Sequence, residues 1–168
     1  MSTNSVLVPW RRTIRLGGFH NAEELRKALA DKQIRLWGTA KDVLTQSSLA
    51  TSIQMADVDL EEVSVEELGF PNGEIFSRIC TSVSESGYEL CTTETAPQLA
   101  LQEEGECGVA RTIGMASVLD STNFHCILVV GRVGADQGGY RYIRGIHHPN
   151  GFFCGKDDRF VLKRSCRE

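Results

Sequence analysis

The sequence predicts an α+β fold: helices of the first half packed on one face of an antiparallel β-sheet, a meander formed mostly by residues 88–164. Two observations carry this expectation. Before Tyr88 apolar residues recur every three or four positions, and after it every two. In the second half the alternating runs are separated by turn-forming clusters, DSTN (120–123), GADQGG (134–139) and HPNG (148–151), as hairpins require. Helices first and hairpins second is an α+β order rather than an alternating α/β one.

The elements follow in chain order. In HNAEELRKALADK, Asn21 caps a helix with Glu24 reaching back to it, and Ala22, Leu25, Ala28 and Leu29 share a face. Thr39 and Asp42 open a second helix carrying Val43 and Leu44. Short β-rich segments before this helix and at VDLEEV (58–63) read as strands. Ser64 and Glu67 form a capping pair for a single turn closed by Gly69. A helix starting at Pro71 and Asn72 carries Ile75, Ile79 and Val83, with Phe76 and Cys80, and ends at Gly87. Then YELC, QLALQ, VARTIGMASV, FHCILVVGRV, YRYIRGIH and RFVLKR read as strands.

The chain has 168 residues, the size of one domain able to bury roughly two thirds of its unfolded surface. We read 1–168 as a single domain in which 1–12 is a loosely ordered N-terminal segment. A boundary at EEGECG (103–108) is disfavoured because the strands beside it need partners from the second half. Apolar residues make up 41% and charged residues 24%, which excludes wholesale disorder and fibrous architectures. A net charge of −4 offers no overall field for a polyanion, so nucleic acid is not an expected partner. The longest apolar run is far short of the roughly 20 residues that cross a bilayer, and the N-terminus lacks a basic leader before an apolar core. A cytoplasmic location without membrane association is expected. The six cysteines contain no C-x-x-C pair and read as reduced, mostly buried thiols.

Few residues carry chemistry. Cys91 and Glu94, in GYELCTTETAPQLALQ, either act in a site beside the sheet edge or only shape a turn. A nucleophilic Cys91 would need a base, and the histidines stand far off at 20, 125, 147 and 148. His147 and His148 are adjacent, so on a strand they point to opposite faces; a metal site from them with Asp157 or Asp158 competes with simple turn chemistry, and no metal or cofactor is expected. In YRYIRGIHH, Tyr140, Tyr142 and Arg144 share one face with Arg141 on the other. GRVGADQGG matches neither the P-loop nor the dinucleotide fingerprint and reads as a hairpin loop.

The segments TIRLGGFHNAEELRKAL, VDLEEVSVEELGFPNGEIFSRI, GYELCTTETAPQLALQ and DDRFVLKR, in this order, resemble a family of small uncharacterised bacterial proteins, some encoded by integron gene cassettes of the mobile metagenome. In that family a proline follows the cysteine matching Cys91, where this chain has Thr92, while the cysteine, glutamate and later proline fit Cys91, Glu94 and Pro97. The resemblance implies a small accessory protein, often a homo-oligomer, and no particular reaction.

The function expected from these residues is binding of a small-molecule ligand or a protein partner, as a homo-oligomer. Glu94, Tyr142, Arg144 and His147 are the candidate polar groups, and Trp10, Trp37 and Phe152 the candidate apolar walls. The alternative is a small hydrolase or transferase using Cys91 or His147 with Glu94.

Overall fold

The computed structural model describes residues 8–46 and 54–166, and its class is α+β. The chain opens with β1 (Arg11–Leu16), so Arg11 and Arg12 belong to a strand rather than to a loose leader; residues 1–7 of that expected segment lie outside the described residues. Helix α1 (Ala22–Asp31) follows, with Asn21 Oδ1 accepting the Glu24 N–H at 2.9 Å. Glu24 accepts from His20 N–H rather than from Asn21. Leu25 and Leu29 are the buried stripe. Strand β2 (Arg35–Gly38) and helix α2 (Ala40–Thr45) come next. Thr39 makes no side-chain cap there; its hydroxyl lies over Gly145 instead.

Strand β3 (Ala56–Ser64) ends in the capping pair expected from sequence: Ser64 Oγ accepts Glu67 N–H at 3.1 Å and the Glu67 carboxylate accepts Ser64 N–H at 2.7 Å. The helix expected from Pro71 starts later. Residues Glu74–Ile75 form the short strand β4, and α3 (Phe76–Ser82) begins only after it, because the Phe76 and Ser77 N–H groups find their acceptors at Phe152 O and Asn150 O. Gly87, at φ +84°, closes the following 3₁₀ turn, and β5 (Tyr88–Glu89) follows.

The largest departure from the sequence reading is QLALQ, which is not a strand. It lies in helix α4 (Thr95–Gln102). Pro97 is tolerated because it sits in the first turn, where its missing N–H has no intrahelical acceptor to lose. Ala96, Leu99 and Ala100 then bury at helical spacing. Beyond α4 come β6 (Ala110–Thr112), β7 (Val118–Leu119), β8 (His125–Arg132), β9 (Arg141–His147), β10 (Phe153–Cys154) and β11 (Arg159–Arg164).

These strands make two main sheets rather than one, and the first half of the chain supplies three of their strands. The first sheet runs β1-β3-β11-β5, all antiparallel. The second runs β2-β9-β8-β6, with β7 also on β8, and β2 pairs with β9 in parallel. A small pair joins β10 to β4. Opposite charges fix the register of β1 on β3: Arg11 faces Glu61 and Arg15 faces Asp57, both with ion pairs.

One extended segment joins the sheets. After β6, Ile113 N–H donates to Leu128 O in the second sheet, and Gly114 N–H to Val161 O in the first. A Cβ at Gly114 would stand 2.5 Å from Leu162 Cδ2 and 3.0 Å from Val161 O, so a larger residue here would have to displace the buried Leu162. Helix α4 packs against β1 of one sheet, β8 and β9 of the other, and α1. Its buried Leu99 alone is worth roughly 2 kcal/mol of apolar transfer.

Candidate functional site

Everything distinctive about the second sheet follows from the β8–β9 hairpin. His148 N–H donates to His125 O and Val133 N–H to Tyr140 O, which makes Cys126/His147, Leu128/Gly145, Val130/Ile143 and Arg132/Arg141 the non-hydrogen-bonded pairs of the ladder. Such pairs bring side chains closest, and all four share one face. Arg141 Nη1 donates to Ala100 O of α4 at 2.9 Å, so this face is the one that α4 covers.

At the loop end of the hairpin a narrow cleft opens between the C-terminal turn of α4, β6, β8 and the start of β1, enclosing about 40 Å³. Its apolar lining is Leu99, Ala100, Val109, Val130 and Trp10. Arg12 and Arg111 lie over the Trp10 ring at 5.7 and 4.6 Å, and each has a carboxylate, Glu103 at 3.0 Å and Glu62 at 3.2 Å. Arg132 and Arg141 also line the cleft. Arg132 donates to Gly139 O at 2.6 Å and to Gly105 O at 3.4 Å, and Arg141 holds the α4 carbonyl. Among the described residues neither forms an ion pair with a carboxylate, although the exposed Glu104 and Glu106 stand at the rim.

At the opposite end of the hairpin, Asp120, Cys126 and His147 converge, with one donor atom of each within 4.8 Å of the others. Asp120 heads the β7–β8 turn. Its Oδ1 accepts from Thr122 N–H at 2.8 Å, Thr122 Oγ1–H at 2.7 Å and Phe124 N–H at 3.0 Å. Those bonds, that of Phe124 foremost, pull its carboxyl down to about 2. Oδ2 is left facing His147 Nε2 at 3.4 Å and Cys126 Sγ at 3.7 Å. Cys126 is fully buried, whereas the His147 side chain is 55% exposed and stacks on Phe124. Burial first, then Asp120 and Asp42, push the Cys126 thiol up, against the pull of Thr39 beside it.

The other residues singled out from sequence go elsewhere. Cys91 is buried with its thiol on Val161 O, and burial pushes it up to about 12. Glu94 is also buried. Its Oε1 accepts Gly17 N–H at 2.8 Å and Gln98 Nε2–H at 3.3 Å. Gln98 and Gln102, one and two turns further, bond Gly17 O and both backbone groups of Arg15, so this stripe of α4 satisfies the outer edge of β1. Tyr142 stacks on Trp37 at 4.3 Å, Tyr140 meets the same ring edge-on, and Arg144 is exposed on that outer face. His148 is buried against Phe76, Phe152 and Phe160, and burial pushes it down. His147 thus meets Asp120 and Cys126 rather than His148 and Asp157 or Asp158.

Sequence reading missed both Arg132 and Arg141, and Asp120 and Cys126 as partners of His147. The available signal was the GADQGG loop: residues equidistant from its centre pair across the hairpin. Compared with protein-family models, curated proteins and solved structures, the chain gives no match.

Proposed function

We propose that this chain is a small-ligand binding module, and that its ligand is an anion with an apolar or aromatic body laid across the mouth of the cleft between α4 and the β6–β8–β9 face. The observation that carries this reading is the Arg132/Arg141 pair. Two guanidinium groups oppose each other on adjacent strands at the cleft wall, an arrangement that costs about 0.2–1 kcal/mol when nothing offsets it. Both are held by backbone carbonyls, which fixes their direction without neutralising their charge. Guanidinium groups match carboxylate and phosphate oxygens, and Trp10, Leu99 and Val130 supply apolar walls for the rest of a ligand. The resemblance to cassette-encoded proteins adds an accessory role.

The enzyme alternative finds less support. Cys91, Glu94 and His147 are each engaged with different partners on different elements, and a thiol at about 12 supplies almost no thiolate.

The test is thermal denaturation with benzoate, phenyl phosphate and naphthalene sulfonate, against benzylamine and inorganic phosphate as controls. A ligand present at 100 times its Kd stabilises by about 2.7 kcal/mol, or roughly 5–10 °C for a chain of this size. The reading expects that shift from an aromatic anion and its loss in Arg132→Gln. An equal shift in the variant, or no response to any aromatic anion, overturns it.

A further inference from the structure

We propose that Asp120, Cys126 and His147 form a binding site for a zinc ion, at the end of the β8–β9 hairpin away from the arginine cleft and independent of it. The donor atoms are Asp120 Oδ2, Cys126 Sγ and His147 Nε2. Oδ2 lies 3.4 Å from Nε2 and 3.7 Å from Sγ, and all three atoms fall within 4.8 Å of one another. Tetrahedral zinc, with bonds of about 2.0–2.3 Å, sets neighbouring ligand atoms about 3.3–3.5 Å apart. The two edges at Asp120 already match this spacing, and the Cys126–His147 edge has to shorten by at most about 1.3 Å for the three to close on an ion.

Each donor is already aimed. Cys126 and His147 oppose each other on a non-hydrogen-bonded rung. Asp120 Oδ1 accepts three turn hydrogen bonds, which aims Oδ2, the kind of outer support that ligating carboxylates receive. The His147 ring is oriented by Phe124 at 4.9 Å. A mixed thiolate, imidazole and carboxylate set suits zinc rather than calcium or magnesium, which take oxygen alone. The half-exposed His147 is the way in. Thr39 Oγ1, buried without a hydrogen-bond partner of its own, lies beside Cys126. On binding, the Cys126 S–H bond breaks, its proton leaves to solvent and its electron pair goes to the ion; His147 carries its ring proton on Nδ1.

A nucleophilic triad is the competing use of the same three residue types. There the histidine stands between thiol and carboxylate. Here the carboxylate oxygen touches both other groups, an order suited to a cation.

The experiment is cobalt(II) titration of the full chain under a non-thiol reductant, followed by zinc displacement. It is done in the Cys107→Ser/Cys166→Ser background, because those two thiols are exposed. The expected result is one cobalt per chain, with sulfur-to-cobalt charge-transfer absorption and the visible bands of a tetrahedral ion, both erased by zinc. Cys126→Ser abolishes the charge-transfer band. His147→Ala and Asp120→Asn weaken binding by at least about 10–100-fold, the loss produced even by removing an outer partner. No charge-transfer band in the parent protein overturns the proposal, as does a band that persists in Cys126→Ser. Should Cys126→Ser not fold, unchanged cobalt affinity in His147→Ala, which alters a half-exposed side chain, overturns it equally.

Discussion

Replacing Glu94 with alanine tests how α4 holds the edge of the first sheet. Glu94 Oε1 accepts from Gly17 N–H and Gln98 Nε2–H, and Glu94 and Gln98 are 2% and 4% exposed. Truncation strands the Gly17 N–H, while Gln98 keeps Gly17 O. A buried donor left without an acceptor costs about 1–3 kcal/mol, at the upper end where the lost acceptor was charged. Adding the one methylene withdrawn from the interior at roughly 0.8 kcal/mol, Glu94→Ala should lose about 3–4 kcal/mol. Glu94→Gln, which keeps an acceptor, should lose about 1 kcal/mol. Urea denaturation measures both as a fall in midpoint at constant slope. Because Gln102 clasps Arg15 on the same strand, a Glu94→Ala/Gln102→Ala double-mutant cycle should show coupling above about 0.5 kcal/mol. Glu94→Ala within 0.5 kcal/mol of the parent, or Glu94→Gln as damaging as Glu94→Ala, would refute the clasp.

Two further outcomes follow from burial. Cys107 and Cys166 are exposed and should react rapidly with a disulfide reagent at pH 8, whereas Cys91, pushed to about 12, and Cys154, pushed to about 11, should wait for unfolding; Cys91 reacting as fast as Cys107 in the native protein refutes its placement. His148 is driven below its ordinary value by burial, with Asp158 opposing. The unfolded chain therefore takes up a proton near pH 6.5 that the folded chain refuses. Stability should be unaffected above that pH, fall as the pH drops below it by at most about 1.4 kcal/mol per unit, and level off below the folded value. His148→Leu should remove that component of the slope, and identical pH profiles for parent and variant would sink the assignment.

What could be read from sequence was whatever a few neighbouring residues decide. Ser64 and Glu67 cap each other three positions apart, and Gly87 takes its positive φ where a helix must end. Helix α4 escaped because Leu99 and Leu101 also satisfy a two-residue period, and its burial between two sheets is a tertiary fact that outweighs local pattern. The charges of β1 become intelligible only beside Asp57 and Glu61 of β3. For the candidate sites the sequence offered His147 but chose Arg144 over Arg141, and the partners of His147 and Arg141 on β8 stand 21 and 9 positions away across the hairpin, where only the register can find them.

That register has a consequence for how the protein can be damaged. Both clusters belong to one set of rungs, about 20 Å apart along β8 at 3.3–3.4 Å per residue. Sliding β9 by one residue against β8 would turn every alternate side chain to the opposite face, disbanding the arginine pair and the Asp120–Cys126–His147 group in the same event. Lesions inside either cluster are separable; lesions in the 134–139 loop that sets the alignment are not. A lengthened or shortened loop should therefore produce a protein that fails both binding tests at once, even where most of its helices survive.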